Sequence, residues 1–548
     1  MSTDDVTNQV PPLAGHSVLA TDPALEEGLR RWSTDAAYED IAVLGELAGR
    51  AEAQHAGELA NTHTPVLRTH SPTGERIDEV EFHPAWHQLM DTAVAHGLTA
   101  SPWTEPQRTG AHVRRAAGFV VWSQVEAGHL CPVSMTYAAV PALRANPQLA
   151  AAWVPKLASR EYDFGLRPLA GKRGAIAGMG MTEKQGGSDV RANTTRAART
   201  EGGPLGGGDT YRLTGHKWFL SAPMSDAFLV LAQTDPGPSC FLVPRVLDDG
   251  TRNPFALQRL KDKLGNRSNA SSEVEFHGTW GVRVGDEGRG VRTIIDMVAS
   301  TRLDTVLGST ATMRQALVRA LHHTRHRSAF GARLVDQPLM RNVLVDLALE
   351  TEAATVLSLR LAHAVDEGDT DFSRLAVAVS KYWVCKRTAP MVAEALECLG
   401  GNGYVEENGL GRLYREAPLN SIWEGSGNVN ALDVLRAIGR EPASLEALVR
   451  EAKRGAGHSA TLDAAIADLD EVARYAVTQD APYAARRVVE KLAVTLQASL
   501  LAQYSPAAVA DAFVASRLGG GHGFTFGTLD APLVAGRAQA IIDRAFPL

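Results

Sequence analysis

The chain has 548 residues, too many for one hydrophobic core, and this length predicts three or four domains. Its 45% hydrophobic and 21% charged residues are typical of a soluble globular protein. A formal net charge of −7 argues against a strongly basic nucleic-acid binder, although it allows a local basic patch. The four cysteines show no CxxC spacing, which argues against a disulfide framework or a zinc site.

The N-terminal part is predicted to be an arm followed by helices. Residues 1 to about 40 mix Pro, Gly, Ser and Asp, and residues 61–81 have the composition of a loop-like insert. Helical periodicity then dominates, for example in residues 110–125. The acidic start is unlike a signal peptide, and no apolar run reaches the ~18 residues of a membrane span, so we expect a cytoplasmic protein.

The pattern changes near residue 176, where short β-rich runs begin to alternate with turn residues. Strand candidates are residues 211–214, 227–232, 240–243 and 273–276. Their spacing predicts a compact antiparallel β domain. No G-x-G-x-x-G fingerprint opens a βαβ unit, which argues against a Rossmann fold.

Helical patterns return after the β-rich region and continue to the end of the chain. They run from residue 291 to about 397 and again from about 445. These changes predict four domains, with boundaries at residues 1–175, 176–289, 290–444 and 445–548.

The most informative stretch is Ile-Trp-Glu-Gly-Ser-Gly-Asn at residues 422–428. It sets Glu424 between an indole ring and a glycine-rich turn. A carboxylate beside a large apolar ring loses solvation, which raises its pKa and makes it a candidate proton acceptor near neutral pH. The glycines and the helical pattern behind them suit a bulky ligand with a phosphate. The alternative is a helix-entry residue beside a cap.

Two further stretches carry groups that suit a cofactor. In residues 181–190, Thr182 can donate to a ring heteroatom, and the Gly-Gly-Ser that follows can offer N–H and O–H groups to a diphosphate. An exposed hairpin loop is the alternative, and it is favoured for this stretch alone. In residues 215–221, Trp218 and Phe219 could flank a flavin or adenine ring, or could equally be core aromatics of a strand.

A third stretch, Arg327-Ser-Ala-Phe-Gly331 with the later Gln337, combines an arginine with an aromatic ring. The planar guanidinium suits phosphate because it binds bidentately and stays charged. Phe330 could pack on a ring. A surface helix end would give a similar pattern.

With the glycine-rich stretch Gly400–Tyr404, these stretches resemble the acyl-CoA dehydrogenase family, in order and over residues 176–432. The family patterns are T-E-x-x-x-G-S-D, G-x-K-x-(W/F), R-x-x-F-G, G-G-x-G-Y and x-E-G-(T/S). Blocks at residues 82–86, 259–271 and 412–416 extend the resemblance over the full length to the AidB-type alkylation-response flavoproteins. It implies an α+β multidomain fold that encloses FAD. A helical N-terminal domain, a central antiparallel β-barrel-like domain and a C-terminal four-helix bundle are followed by an extra C-terminal helical domain.

The resemblance also implies the residues of the site. Glu424 falls on the usual catalytic base, which removes the α-proton in the α,β-dehydrogenation of an acyl thioester. Some members place the base in an earlier E-R-L pattern, but the corresponding residue here is Thr301. Arg327, Phe330 and Gln337 would reach the FAD of a neighbouring subunit, which implies a homo-oligomer and, by family habit, a tetramer. The other implied FAD contacts are Met181, Thr182, Gln185, Gly187, Ser188, Asp189, Trp218, Phe219, Ser221, Gly400, Gly401, Ile422, Trp423, Gly425, Ser426 and Asn428.

Two features point beyond a simple dehydrogenase. Where the family has T-E-P, the flavin loop has Lys184 in place of the proline, which adds a cation. The extra C-terminal domain is associated with duplex DNA in the AidB subfamily, and Arg436 falls where that subfamily has an arginine implicated in DNA contact. A helix-surface arginine or a cofactor-phosphate partner is the alternative. Residues 445–548 contain ten Lys or Arg against eleven Asp or Glu, a net charge of −1 that gives poor support to DNA binding.

Three functions therefore remain open: an acyl-CoA dehydrogenase-like enzyme, a DNA-binding flavoprotein with weak or vestigial activity, and a scaffold that keeps FAD for structure only. A metal site is not expected. His322, His323 and His326 have helical spacing, but no acidic or cysteine ligand accompanies them at zinc-ligand positions.

Overall fold

The structure is a computed structural model that describes residues 5–205 and 209–547. By its internal contacts the chain divides into two compact units. The helical unit comprises residues 1–51, 107–124 and 302–548, and the sheet unit comprises residues 52–106 and 125–301. The four-domain division made from the sequence stays a prediction.

The strands of the sheet unit form a hairpin and a larger central sheet. They are β1 Val66–His70, β2 Arg76–Glu81, β3 Ala177–Gly180, β4 Arg196–Arg199, β5 Thr210–Leu220, β6 Ala227–Thr234, β7 Gly237–Pro244, β8 Phe255–Leu260 and β9 Ser272–Val284. In the central sheet β6 pairs with β7, β7 with β9, β9 with β5, β5 with β4, and β4 returns to β6. This closed ring confirms the predicted barrel-like domain. Its pairings are antiparallel except β4–β6, and β3 also joins β6 in parallel.

The ring closes around an apolar core. Leu213, Phe228, Phe241 and Phe276, from β5, β6, β7 and β9, are almost completely buried and belong to one cluster. β6 is buried along residues 227–232, as expected for a strand covered on both faces. The helices of the sheet unit are α3 Ala51–Thr62, α4 Pro84–Ala95, α6 Leu130–Leu143 and α7 Pro147–Leu157.

The helical unit is built around two long helices, α9 (Pro338–Glu367) and α10 (Thr370–Glu397). α9 packs against α1, α5, α16 and α19, while α10 packs against α12, α13 and α16. α8 passes from the sheet unit into the helical unit at residues 301 and 302. The helices are α1 Pro23–Trp32, α2 Asp35–Ala48, α5 Ala111–Ser123, α8 Gly290–His326, α9 Pro338–Glu367, α10 Thr370–Glu397, α11 Leu410–Glu416, α12 Gly427–Arg440, α13 Pro442–Lys453, α14 Ala460–Ala467, α15 Leu469–Ala476, α16 Ala481–Tyr504, α17 Ala507–Phe513, α18 Ala531–Ala535 and α19 Ala538–Ala545. A short hairpin, β10 Ser328–Ala329 and β11 Ala332–Arg333, follows α8.

Two sequence predictions near the N-terminus are wrong. The arm predicted to reach about residue 40 ends earlier, because Asp22 caps α1 and Pro23 occupies its first position. The insert predicted at residues 61–81 contains the antiparallel β1–β2 hairpin. Among the described residues, no helix combines the length and the apolarity that a bilayer crossing requires.

Candidate functional site

The loop after β3 is anchored to the barrel by a buried ion pair. Glu183 and Lys217 of β5 both have fully buried side chains, and Lys217 Nζ lies 2.7 Å from Glu183 Oε1. The backbone N–H groups of Thr194 and Thr195 also donate to the Glu183 carboxylate, at 2.6 and 3.1 Å. Burial alone would raise the pKa of Glu183, but Lys217 and these donors hold it well below its ordinary value. The loop is therefore fixed from its inner side.

The outer side of the same loop exposes its backbone. Gly186, Gly187, Ser188 and Asp189 are all exposed. Gly186 has φ +145°, which favours glycine. A Cβ atom at Gly187 would lie 2.4 Å from Thr182 Oγ1, so any larger residue would displace that side chain. The Gly186 N–H donates to the Glu183 carbonyl at 3.0 Å, so Gly187 and Ser188 are the residues of this loop whose N–H and O–H groups suit the oxygens of a diphosphate.

Two predicted cofactor contacts serve the internal hydrogen bonding of the loop. The Met181 carbonyl accepts a hydrogen bond from Asn193 Nδ2 at 2.8 Å. Gln185 Nε2 donates to Glu183 Oε2 at 3.0 Å and to the Ala192 carbonyl at 3.3 Å. These groups keep the loop in shape, whatever else they contact.

The end of β5 carries two aromatic rings beside three cations. Lys261 Nζ lies 3.4 Å from the centroid of the Trp218 ring and 4.7 Å from that of Phe219. The cationic groups of Lys184 and Arg259 lie 5.7 and 5.6 Å from the Trp218 centroid. Phe219 is 49% exposed. The alternative of purely core aromatics is therefore wrong for Phe219.

The loop after β3 and the end of β5 are joined through the backbone. Trp218 N–H donates to the Thr182 carbonyl at 2.8 Å. Ser221, directly after β5, is half-buried, and the next residue, Ala222, has φ +49°. The left-handed conformation of a non-glycine residue indicates a tightly determined turn at this point.

In the helical unit, Glu424 lies in a turn whose carbonyl groups are bound by side chains. Glu424 itself has φ +57°, which is uncommon for a residue with a side chain. Its carbonyl accepts from Arg302 Nε at 3.1 Å, and the Gly425 carbonyl accepts from Lys381 Nζ and Asn430 Nδ2. In a trans peptide the C=O and N–H groups point in opposite directions. The N–H groups of the two peptide units that follow Glu424 and Gly425 therefore face away from these donors.

Lys381 lies in the interior behind this turn. Its side chain is only 1% exposed, and burial lowers the pKa of Lys381 to about 8. The negative charge of Glu424 opposes that shift, whereas the positive charges of Arg302 and Lys386 add to it. The hydrogen bond to the Gly425 carbonyl thus places the Lys381 ammonium group at the residue that follows Glu424.

Asp433 of α12 gathers three arginines from three helices. Arg302 NH1 of α8 lies 2.7 Å from Asp433 Oδ2, while Arg374 NH2 of α10 and Arg436 NH1 of α12 each lie 3.2 Å from Oδ1. Burial alone would raise the pKa of Asp433, but Arg302 and Arg374 hold it below its ordinary value. Arg302 therefore links Asp433 to the Glu424 turn. The Arg436 side chain, assigned to DNA by the resemblance, is 56% exposed.

The start of α12 contacts a helix of the C-terminal segment. Arg486 of α16 donates to Asn428 Oδ1 through Nε at 3.0 Å and through NH2 at 2.8 Å. Trp423 Nε1 donates to Asn420 Oδ1 at 2.8 Å, and Ile422 is 61% exposed. Ser426 occupies the N-cap position of α12 without a side-chain cap. A cation, an amide and a helix N-terminus therefore meet beside the Glu424 turn.

The N-terminal arm binds the hairpin that follows α8. Asn8 Nδ2 donates to the Ser328 carbonyl, and Ser328 N–H donates to Asn8 Oδ1, both at 2.8 Å. Arg327 NH1 also donates to the Asn8 carbonyl. One asparagine side chain therefore pairs with the first residue of β10 as a neighbouring strand would.

The tip of this hairpin is exposed. Phe330 is 99% exposed and has φ +53°. Gln337 Nε2 donates to the Ala329 carbonyl at 2.8 Å, which ties the start of α9 to the hairpin. The two glycines assigned to the cofactor at the end of α10, Gly400 and Gly401, are also exposed, and a Cβ atom at either would meet no other atom within 4 Å.

No group of potential metal ligands is found among the described residues. In the predicted histidine cluster, His322 Nε2 contacts the Pro11 carbonyl and His326 Nδ1 contacts the His322 carbonyl, both at 2.8 Å. These two histidines therefore make local backbone contacts.

Comparison with known proteins identifies the relatives of this chain. Residues 8–164 match the N-terminal domain of the adaptive response protein AidB. Residues 178–279 and 288–439 match the middle and C-terminal domains of acyl-CoA dehydrogenases. The chain is 49% identical over 455 residues to the putative acyl-CoA dehydrogenase AidB of Escherichia coli K12, covering 82% of this chain and 83% of that protein.

The chain belongs to the AidB branch of the acyl-CoA dehydrogenase family. It is also 31% identical to acyl-CoA dehydrogenase family member 11 of Caenorhabditis elegans, over 81% of this chain and 74% of that protein. The crystal structure of C. elegans ACDH-11 in complex with C11-CoA superposes with a TM-score of 0.85 at 26% identity, covering 98% of this chain and 97% of that one. The apo-form of Bd2924 superposes with a TM-score of 0.83 at 27% identity, over 92% and 100% of the two chains.

Members of the acyl-CoA dehydrogenase family are FAD-dependent oxidoreductases, and each unit of this AidB-branch chain offers groups that fit FAD. In the sheet unit, the exposed loop around Gly187 lies next to the aromatic end of β5, which suits a diphosphate joined to planar rings. In the helical unit, the N-terminus of α12 lies beside Arg486 and close to Lys386, since a Cβ atom at Gly427 would be 3.6 Å from Lys386 Nζ.

The anchoring roles of several residues of this site were not predicted from the AidB-branch sequence. These residues are the groups that hold the predicted segments in place: Glu183, Lys217, Arg302, Lys381, Asn430 and Arg486. A charged residue inside a glycine-rich motif or an apolar helical pattern was a signal that could have found Glu183 and Lys381, because a buried charge requires a partner.

Proposed function

We propose that this chain dehydrogenates the α,β bond of an acyl-CoA thioester with Glu424 as the base. The observation that carries the proposal is the Glu424 turn, a strained backbone fixed by Arg302, Lys381 and Asn430. Backbone strain of this kind persists where the surroundings determine the conformation, and it is concentrated at functional sites. The C11-CoA complex of C. elegans ACDH-11 supports a thioester as the substrate.

The proposed mechanism assigns a proton step to Glu424. Its carboxylate removes the α-proton of the thioester, and the fixed turn holds the carboxylate ready for this transfer. Bound FAD supplies the acceptor for the hydride that leaves the β-carbon. Thr301, at the alternative base position, is 1% exposed and has no acidic group.

The FAD contacts that the resemblance implies are proposed for each unit by itself. In the sheet unit these are Met181, Thr182, Gln185, Gly187, Ser188, Asp189, Trp218, Phe219 and Ser221. In the helical unit they are Gly400, Gly401, Ile422, Trp423, Gly425, Ser426 and Asn428. Arg327, Phe330 and Gln337 are proposed to act on the FAD of a second subunit, which the nearly complete exposure of Phe330 supports.

The test is an anaerobic titration of the FAD-loaded protein with a panel of acyl-CoAs, in which flavin absorbance is monitored. The wild-type flavin is expected to bleach, and Glu424→Gln is expected to lose bleaching by about 10³-fold or more. Glu446→Gln, the same change at an exposed site on α13, is the matched control and should bleach normally. Equal bleaching by Glu424→Gln and wild type would sink the assignment of the base.

Duplex DNA binding is a second proposal, and the exposure of Arg436, Arg486 and Arg487 in the α12 and α16 region favours it. Phosphate contacts release counterions, so affinity should fall steeply with salt. Replacing Arg436 or Arg487 by Ala should make that dependence shallower. A dependence unchanged in both variants would exclude this surface. The tetramer and the cytoplasmic location stay predictions, and light scattering of the full chain tests the first.

A further inference from the structure

Lys381 is a buried cation that the proposed mechanism does not use. It lies in the middle of α10, between the buried apolar run at residues 375–379 and the buried residues Val384 and Cys385. Removing an ammonium group from water costs several kcal/mol unless partners compensate. An uncharged residue would avoid that cost, so the presence of a lysine here requires a reason.

Its hydrogen-bond acceptor belongs to the turn that carries the base. Lys381 Nζ donates to the Gly425 carbonyl, the peptide oxygen directly after Glu424. The same carbonyl accepts from Asn430, so the turn does not depend on Lys381 alone for this hydrogen bond. The charge is what Lys381 adds to a carbonyl that already has a neutral donor.

That charge lies beside the Glu424 turn, because its hydrogen-bond acceptor is the carbonyl of the next residue, Gly425. The Glu424 carboxylate attracts the ammonium group, while Arg302 and Lys386 repel it. The buried Cys385 thiol is neutral, since burial raises its pKa. Arg302 is already paired with Asp433 at 2.7 Å, which leaves less of its charge for the turn. Lys386 is exposed and is therefore screened by solvent. Lys381 is thus the buried, less screened cation beside Glu424.

We infer that Lys381 is a positioning residue whose positive charge keeps Glu424 ionised as the base and holds its turn in place. The inference rests on the proposed function, since it gives Glu424 the role of base. A nearby cation favours the carboxylate over the carboxylic acid. Without Lys381, Glu424 would take up its proton at a higher pH, and less of the enzyme would carry a competent base.

The test separates charge from hydrogen bonding with three substitutions. Lys381→Arg keeps the charge, Lys381→Gln keeps a donor without charge, and Lys381→Met removes both. Proton uptake by Glu424 is followed by infrared spectroscopy of the FAD-loaded protein without substrate, and the carboxyl band is assigned by its loss in Glu424→Gln. Lys453→Gln, at an exposed site on α13, is the matched control for loss of a lysine charge.

In Lys381→Gln and Lys381→Met, Glu424 should take up its proton at a pH about one unit higher than in wild type, while Lys381→Arg stays close to wild type. At pH values below the wild-type midpoint of Glu424 protonation, acyl-CoA should bleach the flavin about tenfold more slowly in Lys381→Gln than in wild type. A Glu424 titration in Lys381→Gln that matches wild type overturns the inference. Circular dichroism shows whether each variant folds. If Lys381→Met does not fold, the comparison of Lys381→Arg with Lys381→Gln tests the inference.

The two proposals fail separately. If wild type bleaches and Glu424→Gln does not, but the Glu424 titration ignores the charge at residue 381, the inference is wrong and dehydrogenation stands. If the titration responds to that charge but no acyl-CoA bleaches the wild-type flavin, the electrostatic role stands and the proposed reaction fails.

Discussion

At the scale of single residues, buried charges hold the segments that the family motifs mark. Glu183 and Lys217 lie inside two of those motifs, and neither side chain is exposed. Their role is to fix the loop whose outer side is proposed to contact the cofactor. The motifs therefore combine buried structural residues with exposed residues that are proposed to contact the ligand.

We expect Lys217→Met to lower the free energy of unfolding by about 3–5 kcal/mol, because it leaves the Glu183 carboxylate buried without its cation. Denaturant titration measures the loss. The double variant Glu183→Gln, Lys217→Met should lose less than the sum of the two single changes, since it removes both charges. Additive losses would contradict an energetic coupling between the two side chains.

The sequence predicted Glu424 and the exposed side of each motif, but it did not predict the partners behind them. Lys381 is 44 positions from Gly425, and Lys217 is 34 positions from Glu183. Periodicity describes which face of a helix or strand is apolar, and it carries no information about contacts across such separations. The internal hydrogen bonds of Gln185 likewise required coordinates.

At the scale of elements, the β10–β11 hairpin, which lies between α8 and α9, depends on a segment far away in sequence. Asn8 pairs with both backbone groups of Ser328, so the arm extends a hairpin whose strands have only two residues each. A hairpin this short is marginal alone. The arm therefore supports the segment proposed to reach a second subunit.

Asn8→Ala should raise the hydrogen-exchange rate of the Ser328 amide about tenfold or more, because about 1 kcal/mol is lost with each hydrogen bond. Exchange measured by NMR or mass spectrometry gives the value. Gln9→Ala, the neighbouring exposed amide, is the control and should leave exchange unchanged. Equal rates in Asn8→Ala and wild type would mean that the arm does not hold the hairpin.

The elements predicted best are those with a strong apolar pattern. β6, β7 and β9 include their predicted runs because these strands are largely buried. The β1–β2 hairpin was not predicted because its strands are half-exposed and rich in charge, which resembles a loop. β5 continues six residues past the predicted run at residues 211–214, to Leu220, and includes the aromatic pair.

At the scale of the whole molecule, each unit contains a buried carboxylate kept ionised by its partners. In the sheet unit, burial alone would raise the pKa of Glu126, but hydrogen bonds with His129 lower it to about 2. In the helical unit, Arg387 and Arg517 likewise outweigh burial and lower the pKa of Glu350 to about 2. Both units are therefore sensitive to acid.

A carboxyl group with a lowered pKa in the folded state stabilises the fold above its ordinary pKa, and this contribution is lost as pH falls through the folded value. We expect the urea concentration at the midpoint of unfolding to decrease as the pH is lowered from about 4.5 to about 2. Glu350→Gln should show a weaker dependence on pH in that window, and the exposed change Glu446→Gln should keep the wild-type dependence. The same slope in Glu350→Gln and wild type would contradict this origin.

Asp433 is paired with three arginines, so the charge of its carboxylate is still neutralised if one of them leaves. Arg302 and Arg374 have side chains only 14% and 26% exposed, and they remain beside Asp433 if Arg436 turns away. The carboxylate is then still compensated, so movement of Arg436 does not strand a buried anion. Redundancy of this kind frees the exposed guanidinium to exchange Asp433 for an external anion at little cost to the fold.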